Sequence, residues 1–287
     1  MRALTDIHTS EVNRTESGDS YSSVGYTSRC TPPTALEPLG VAFPGQTSCE
    51  RTDGACQEIA YDPNWVGHLL TAIRTIREQL PPLLVFDYAN PGDTVARMKL
   101  AQVGRQFTPH AGTHPEWAPW CSSDSLFVTW IGVNDCTWNL RLQVPSAQAS
   151  LDDLFATQET LYRTGARNFC LIDVPPAHVF PKGPKTPEAK AAYDAWKPLL
   201  REGAKAFIGA HPDATVFVFS SWDLFTRILA DPQSYGLQCE DRSRSTLFVD
   251  GFHPTSAVHA IIAKELLSFL REVRAPSSSL LTNVSAS

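Results

Sequence analysis

Four short apolar runs, each bounded by turn signals and separated by stretches of helical periodicity, constrain this fold more than any other feature. They are residues 83–86 (LLVF), 125–131 (SLFVTWI), 168–174 (NFCLIDV) and 214–219 (ATVFVF). Continuous apolarity without alternation marks a strand buried on both faces. The intervening stretches read as helices. Asp62-Pro63 looks like an N-cap and first helical residue, with Trp65, Leu69, Ile73 and Ile76 on one buried face to about Leu80, where Pro81-Pro82 stops it. Ser150 reads as the cap of a helix ending at Gly165, with Asp153 at the capping-box position. Thr186-Pro187 opens a long amphipathic helix toward His211-Pro212, and Ser221 opens another that ends near Asp231-Pro232. Thr255 caps the last, whose apolar face includes Val258, Ile261, Ile262, Leu266 and Leu270.

Strands alternating with helices imply right-handed crossovers and a parallel sheet. The expected fold is therefore α/β: three layers, α/β/α, a flavodoxin-like parallel sheet with helices on both faces. Residues 17–275 read as one domain, 1–16 as an atypical N-terminal segment and 276–287 as a flexible Ser-rich tail. In such sheets ligands bind beyond the carboxyl ends of the strands. A net charge of −6 offers no basic field for a phosphate backbone, so nucleic acid is not an expected partner. No apolar run reaches the roughly 18 residues of a membrane span.

Four short motifs stand out, two of them directly after expected strands. Gly18-Asp19-Ser20-Tyr21 suits a tight turn that exposes a hydroxyl; alone it is an ordinary surface turn. Asn90-Pro91-Gly92-Asp93-Thr94 follows the first apolar run, where Gly92 can bring its backbone N–H close to a ligand, or simply make a turn. Gly132-Val133-Asn134-Asp135 follows the second run; Asn134 could aim an amide into a cleft or close an Asx-turn. Asp250-Gly251-Phe252-His253-Pro254 precedes the last helix, with a carboxylate three residues from an imidazole.

Together and in this order, the motifs resemble the four sequence blocks of the SGNH/GDSL hydrolases. The stretches DGFHPTSAVHAIIAKEL and HPDATVFVFSSWDLFTRIL further resemble fungal carbohydrate acetylesterases. No GxSxG occurs, so the α/β-hydrolase nucleophile elbow is missing. The resemblance implies a serine esterase acting through an acyl-enzyme, with Ser20 as nucleophile, His253 as base and Asp250 holding the imidazole. It implies an oxyanion hole from the Ser20 and Gly92 backbone N–H groups and the Asn134 side chain, and no metal or cofactor. The expected partner is a small-molecule or oligosaccharide ester, above all an acetyl ester of a carbohydrate, and the expected location is extracellular. A lipolytic esterase or phospholipase on the same scaffold, and an inactive binding protein retaining it, are the alternatives.

One departure stands out. In the family the nucleophile follows an apolar first strand, whereas here TSEVNRTE precedes Ser17. Those residues are expected not to form a buried central strand, which would leave a strand position empty beside Ser20. The N-terminus also shows no apolar stretch of signal-peptide length. Either this beginning differs from that of the working protein, the preferred reading, or activity has been lost.

Seven cysteines leave at least one thiol unpaired in a monomer; Cys49 with Cys56 and Cys121 with Cys136 are possible pairs, and Cys170 reads as a buried thiol. His110 and His114 have metal-like spacing but read as surface-loop residues. Trp130 reads as core, Trp138 as a possible flank of the cleft, and His259 as facing solvent or a loop.

Overall fold

The four apolar runs do form strands, and a fifth strand joins them. In the computed structural model, which describes residues 13–45, 62–76, 82–138, 146–238 and 246–272, the strands are β1 (Asn13–Gly18), β2 (Leu84–Asp87), β3 (Ser125–Trp130), β4 (Asn168–Ile172) and β5 (Thr215–Phe219). All pair in parallel in the order β2-β1-β3-β4-β5. That is the flavodoxin-like order, with its switch point between β1 and β3.

β1 corrects the reading of the N-terminus. It lies between β2 and β3, registered through Asn13↔Leu84 on one side and Asn13↔Ser125 on the other. NRTESG has no strand signature of its own. Parallel pairing on both edges supplies what its side chains do not, which is tertiary context overriding propensity. The strand begins inside the 1–16 segment set apart above, and the supposedly empty position is filled.

The helices are α1 (Trp65–Ile76), α2 (Val95–Arg97), α3 (Val133–Trp138), α4 (Ala147–Arg163), α5 (Pro187–Ala210), α6 (Ser221–Ala230) and α7 (Ser256–Glu272). α2 runs directly into a π-type helix, Met98–Phe107. Right-handed crossovers on either side of the switch point send α1 to one face and α4 and α5 to the other. α1 packs on α7 and α4 on α5, as that layering requires.

Several local expectations shift. Asn64, not Asp62, caps α1: its Oδ1 accepts from Val66 N at 3.0 Å, and the described helix runs to a half-exposed Ile76. Ser146 caps α4, accepting from Ala149 N, while Ser150 sits one turn in, buried, donating to Asp135 Oδ1 at 2.9 Å. Other expectations hold: Thr186 caps α5, Ser221 is the first residue of α6, with Ser220 as its cap, and Thr255 caps α7, its Oγ1 accepting from Val258 N at 3.5 Å. His259 is buried, because the inward face of α7 takes in Val258, His259, Ile262, Ala263, Leu266 and Leu270. Cys121 is exposed and Cys136 buried, both as free thiols, so they are not a pair. Cys170 is buried as expected. The Cys49–Cys56 pair and the tail 276–287 lie outside the described residues.

Candidate active site

Gly18 ends β1 against the β3 backbone. A Cβ there would lie 2.7 Å from the Trp130 carbonyl oxygen and 2.9 Å from Ser22 Oγ, so only glycine fits. The chain then makes a single helical turn in which the Asp19 carbonyl accepts from Ser22 N and Ser23 N at 3.1 and 3.0 Å. Asp19 Oδ1 accepts from Tyr21 N at 3.0 Å. Ser20 is the partly exposed residue of this turn; Asp19, Tyr21, Ser22 and Ser23 are buried. Burial pushes the Asp19 carboxyl up to about 7, against the Tyr21 N–H, which lowers it.

Distant side chains hold the turn from below. Asn64 Nδ2 donates to the Ser22 and Ser23 carbonyls at 2.7 and 3.0 Å, and Trp65 Nε1 donates to Ser22 Oγ at 3.2 Å. Asp87 Oδ2, at the end of β2, accepts from Val24 N at 3.0 Å. Gln102 bonds both backbone groups of Gly18.

The segment before α7 comes to the same point. Phe248 and Pro254 bridge antiparallel, with Val249 N donating to the His253 carbonyl, so residues 249–253 form a tight loop. Asp250 Oδ1 accepts from Phe252 N and His253 N at 2.9 and 2.8 Å, and its Oδ2 meets His253 Nδ1 at 2.8 Å. His253 Nε2 lies 2.9 Å from Ser20 Oγ. Burial disfavours the Asp250 charge, but the His253 N–H and imidazole and the Phe252 N–H outweigh it and hold the carboxyl below its ordinary value. A carboxylate only accepts, so the imidazole proton belongs on Nδ1 and the Nε2 lone pair faces the Ser20 hydroxyl. Tyr21 ties the two segments together: its hydroxyl donates to the Phe252 carbonyl at 3.0 Å, and its ring meets His253 edge-on.

The two remaining motifs flank this pair. Asn134, at the start of α3, is buried and donates through Nδ2 to the Asp93 carbonyl at 2.9 Å. An amide nitrogen carries two protons, so one is left to face elsewhere. Gly92 has φ +76, a conformation that disfavours a side chain, and open space where a Cβ would stand. Asn90 N donates to the Gly18 carbonyl at 3.2 Å, which joins this loop to the Ser20 turn. Asp135 accepts from Val95 N and Ser150 Oγ, fixing α3 to α2 and α4; desolvation raises its carboxyl to about 6, against those hydrogen bonds.

Sequence reasoning named Ser20, Asp250 and His253, and the fold brings them into one hydrogen-bonded line. It also named Gly92, on a loop bonded to Gly18 through Asn90, and Asn134, at the start of α3 and bonded to Asp93. Trp138 is the last residue of α3, and its side chain lies outside the described residues. His114 is a structural residue: its Nε2 meets the Thr164 carbonyl at 2.8 Å, and its ring stacks on Trp120. Tyr21, Asn64, Asp93 and Gln102 went unassigned. Tyr21 and Asp93 stood inside quoted motifs, but no sequence signal marks Gln102.

A family model described as GDSL-like lipase/acylhydrolase matches residues 53–266. An acetylesterase from Thermothelomyces thermophilus is 28% identical over 271 residues, covering 86% of this chain and 84% of the relative. Axe2, an acetylxylan esterase from Geobacillus stearothermophilus, shares the fold with a TM-score of 0.55 at 15% identity, over 91% of this chain and 95% of that one. LAE5, an alpha/beta hydrolase from the metagenome of Lake Arreo, does so with a TM-score of 0.53 at 16% identity, over 92% and 98%.

Proposed function

The chain belongs to the GDSL-like lipase/acylhydrolase family, and from that premise we propose that it is a serine esterase that removes acetyl groups from carbohydrates, with Ser20, His253 and Asp250 as its triad. One observation carries the residue assignment: the unbroken line Asp250 Oδ2–His253 Nδ1 and His253 Nε2–Ser20 Oγ, at 2.8 and 2.9 Å, between groups 233 residues apart.

Ser20 Oγ attacks the ester carbonyl as His253 Nε2 takes its proton. Asp250, ionised and held by two backbone N–H groups, keeps the imidazole in the reactive tautomer and balances the charge that forms on it. The carbonyl oxygen, now carrying negative charge, is received by the Ser20 and Gly92 N–H groups and the second Asn134 amide proton. His253 returns the proton to the leaving alcohol, and the acyl group stays on Ser20. Water, deprotonated by His253, then releases acetate and restores the hydroxyl. The reaction so drawn uses only groups of this chain.

The acetyl carbohydrate substrate rests on the acetylesterase relative and on the fold shared with an acetylxylan esterase. An extracellular setting goes with a polymeric or oligomeric substrate. Among the described residues no helix is long and apolar enough to cross a membrane. The inactive-binding-protein reading was motivated by a missing strand, and β1 removes that motive.

The test is an acyl-chain profile. The protein should hydrolyse p-nitrophenyl acetate with a higher kcat/KM than longer esters and release acetate from acetylated xylooligosaccharides. Faster turnover of the octanoyl ester would point instead to a lipolytic enzyme.

A further inference from the structure

The β1–β2 ladder stops at Glu16↔Asp87, whereas β1–β3 continues to Gly18↔Trp130. On the β2 side, Gly18 therefore extends past its strand neighbour. The side-chain amide of Gln102 takes over the pairing there. Gly18 N donates to Gln102 Oε1 at 3.0 Å, and Gln102 Nε2 donates to the Gly18 carbonyl at 2.7 Å. The same Nε2 donates to Asp93 Oδ2 at 2.9 Å. Gln102 lies on the π-type helix Met98–Phe107 and is fully buried.

Asp93 is itself a junction. Its other carboxylate oxygen accepts from Asn90 Nδ2 and Arg97 Nε, and its backbone carbonyl accepts from Asn134 Nδ2. Gln102 thus links the residue two before Ser20 to the loop of Gly92 and to the Asn134 side chain. A carboxamide suits this place because it repeats the donor and acceptor of a peptide group. Glutamate would lose the donors and set a charge against Asp93; methionine would fill the space and lose every bond.

We propose that Gln102 is a positioning residue for the esterase reaction, acting as a one-residue extension of the sheet that fixes the Ser20 turn against the oxyanion-side loops. This rests on the reading of Ser20 as nucleophile. Gln102 touches no reacting atom; it acts through Gly18 and Asp93. Misplacement of a nucleophile by about 1 Å can cost on the order of 100-fold, so a side chain that sets the register of Ser20 sets kcat rather than KM.

The experiment compares native protein, Ser20→Ala, Gln102→Met and Gln102→Glu in p-nitrophenyl acetate hydrolysis between about pH 5 and pH 8, with thermal unfolding of the same samples. Gln102→Met should lose about 100-fold in kcat with KM little changed. Gln102→Glu should donate in place of the amide when protonated and repel Asp93 when ionised. Its kcat relative to native should therefore climb toward acid, by up to about tenfold per pH unit above the pKa of the new carboxyl. That ratio decides the matter even if Gln102→Met does not fold. Native kcat in both variants, or a Gln102→Glu ratio that is low and flat with pH, overturns the proposal. Should Ser20→Ala prove as active as native, the reading of the site falls and this proposal with it. An inactive Ser20→Ala beside fully active Gln102 variants sinks the proposal alone.

Discussion

The two segments that meet at the proposed catalytic line are held in opposite ways. The Ser20 turn is fastened by side chains from far along the chain: Asn64, Trp65, Asp87 and Gln102, all buried. The His253 loop is held largely by its own Asp250, which accepts two backbone N–H groups and the imidazole within three residues. The proposed nucleophile is thus held by the whole core, while the proposed base sits on a nearly self-contained loop laid against it and anchored by Tyr21 and by Lys182 N on the Gly251 carbonyl. Loss of the distant supports around the first should register as lost stability, and at Gln102 as lost turnover too, whereas changes in the second should register mainly as lost turnover.

The largest effect expected on that contrast is Asp250→Asn. The amide can still accept from the two backbone N–H groups, so the loop and the melting temperature should hold. It would present an N–H to His253 Nδ1, however, and turn the imidazole to the wrong tautomer, which costs kcat on the order of 10⁴-fold. Steady-state kinetics beside a thermal melt checks this. A large drop in melting temperature would mean that the loop is not self-contained.

Asn64→Ala is the converse case. It removes two bonds to the Ser22 and Ser23 carbonyls and the cap of α1. Leaving buried carbonyls unsatisfied should lower stability by about 2–3 kcal/mol in urea unfolding. Unchanged stability would show that the Ser20 turn does not depend on its distant supports.

A third effect is a pH dependence. Asp19 has its carboxyl raised from 3.8 to about 7 by burial. Between those values the folded state holds a proton that the unfolded state has released, so this group's contribution falls as pH rises through the window. Asp19→Asn cannot titrate. Its stability relative to native should increase with pH across that window, by roughly 1.4 kcal/mol per pH unit. A constant difference from acid to neutral pH would mean that Asp19 is ionised in the folded protein.

The same contrast explains what could be read in the sequence. Asp250 and His253 were legible because their interactions span three residues and leave a motif. Strands β2 to β4 were legible because burial on both faces writes itself as apolar runs, and β5, partly exposed at the sheet edge, carries such a run as well. β1 was not, since NRTESG becomes a strand only through pairing with Leu84–Asp87 and Ser125–Trp130. Gln102 was illegible for a like reason: its partner Gly18 is 84 residues away, and nothing in MKLAQVGRQF marks one glutamine as buried. His259 was misplaced because a polar type on the inward face of α7 looks, in sequence, like a residue of the outer face.

The central claim is that the Ser20 hydroxyl is activated by His253. Labelling with a fluorophosphonate and mapping the adduct by mass spectrometry tests it most directly. The adduct should appear on Ser20 and vanish in a folded His253→Ala variant. An adduct on another serine, or equal labelling of Ser20 without His253, would contradict it.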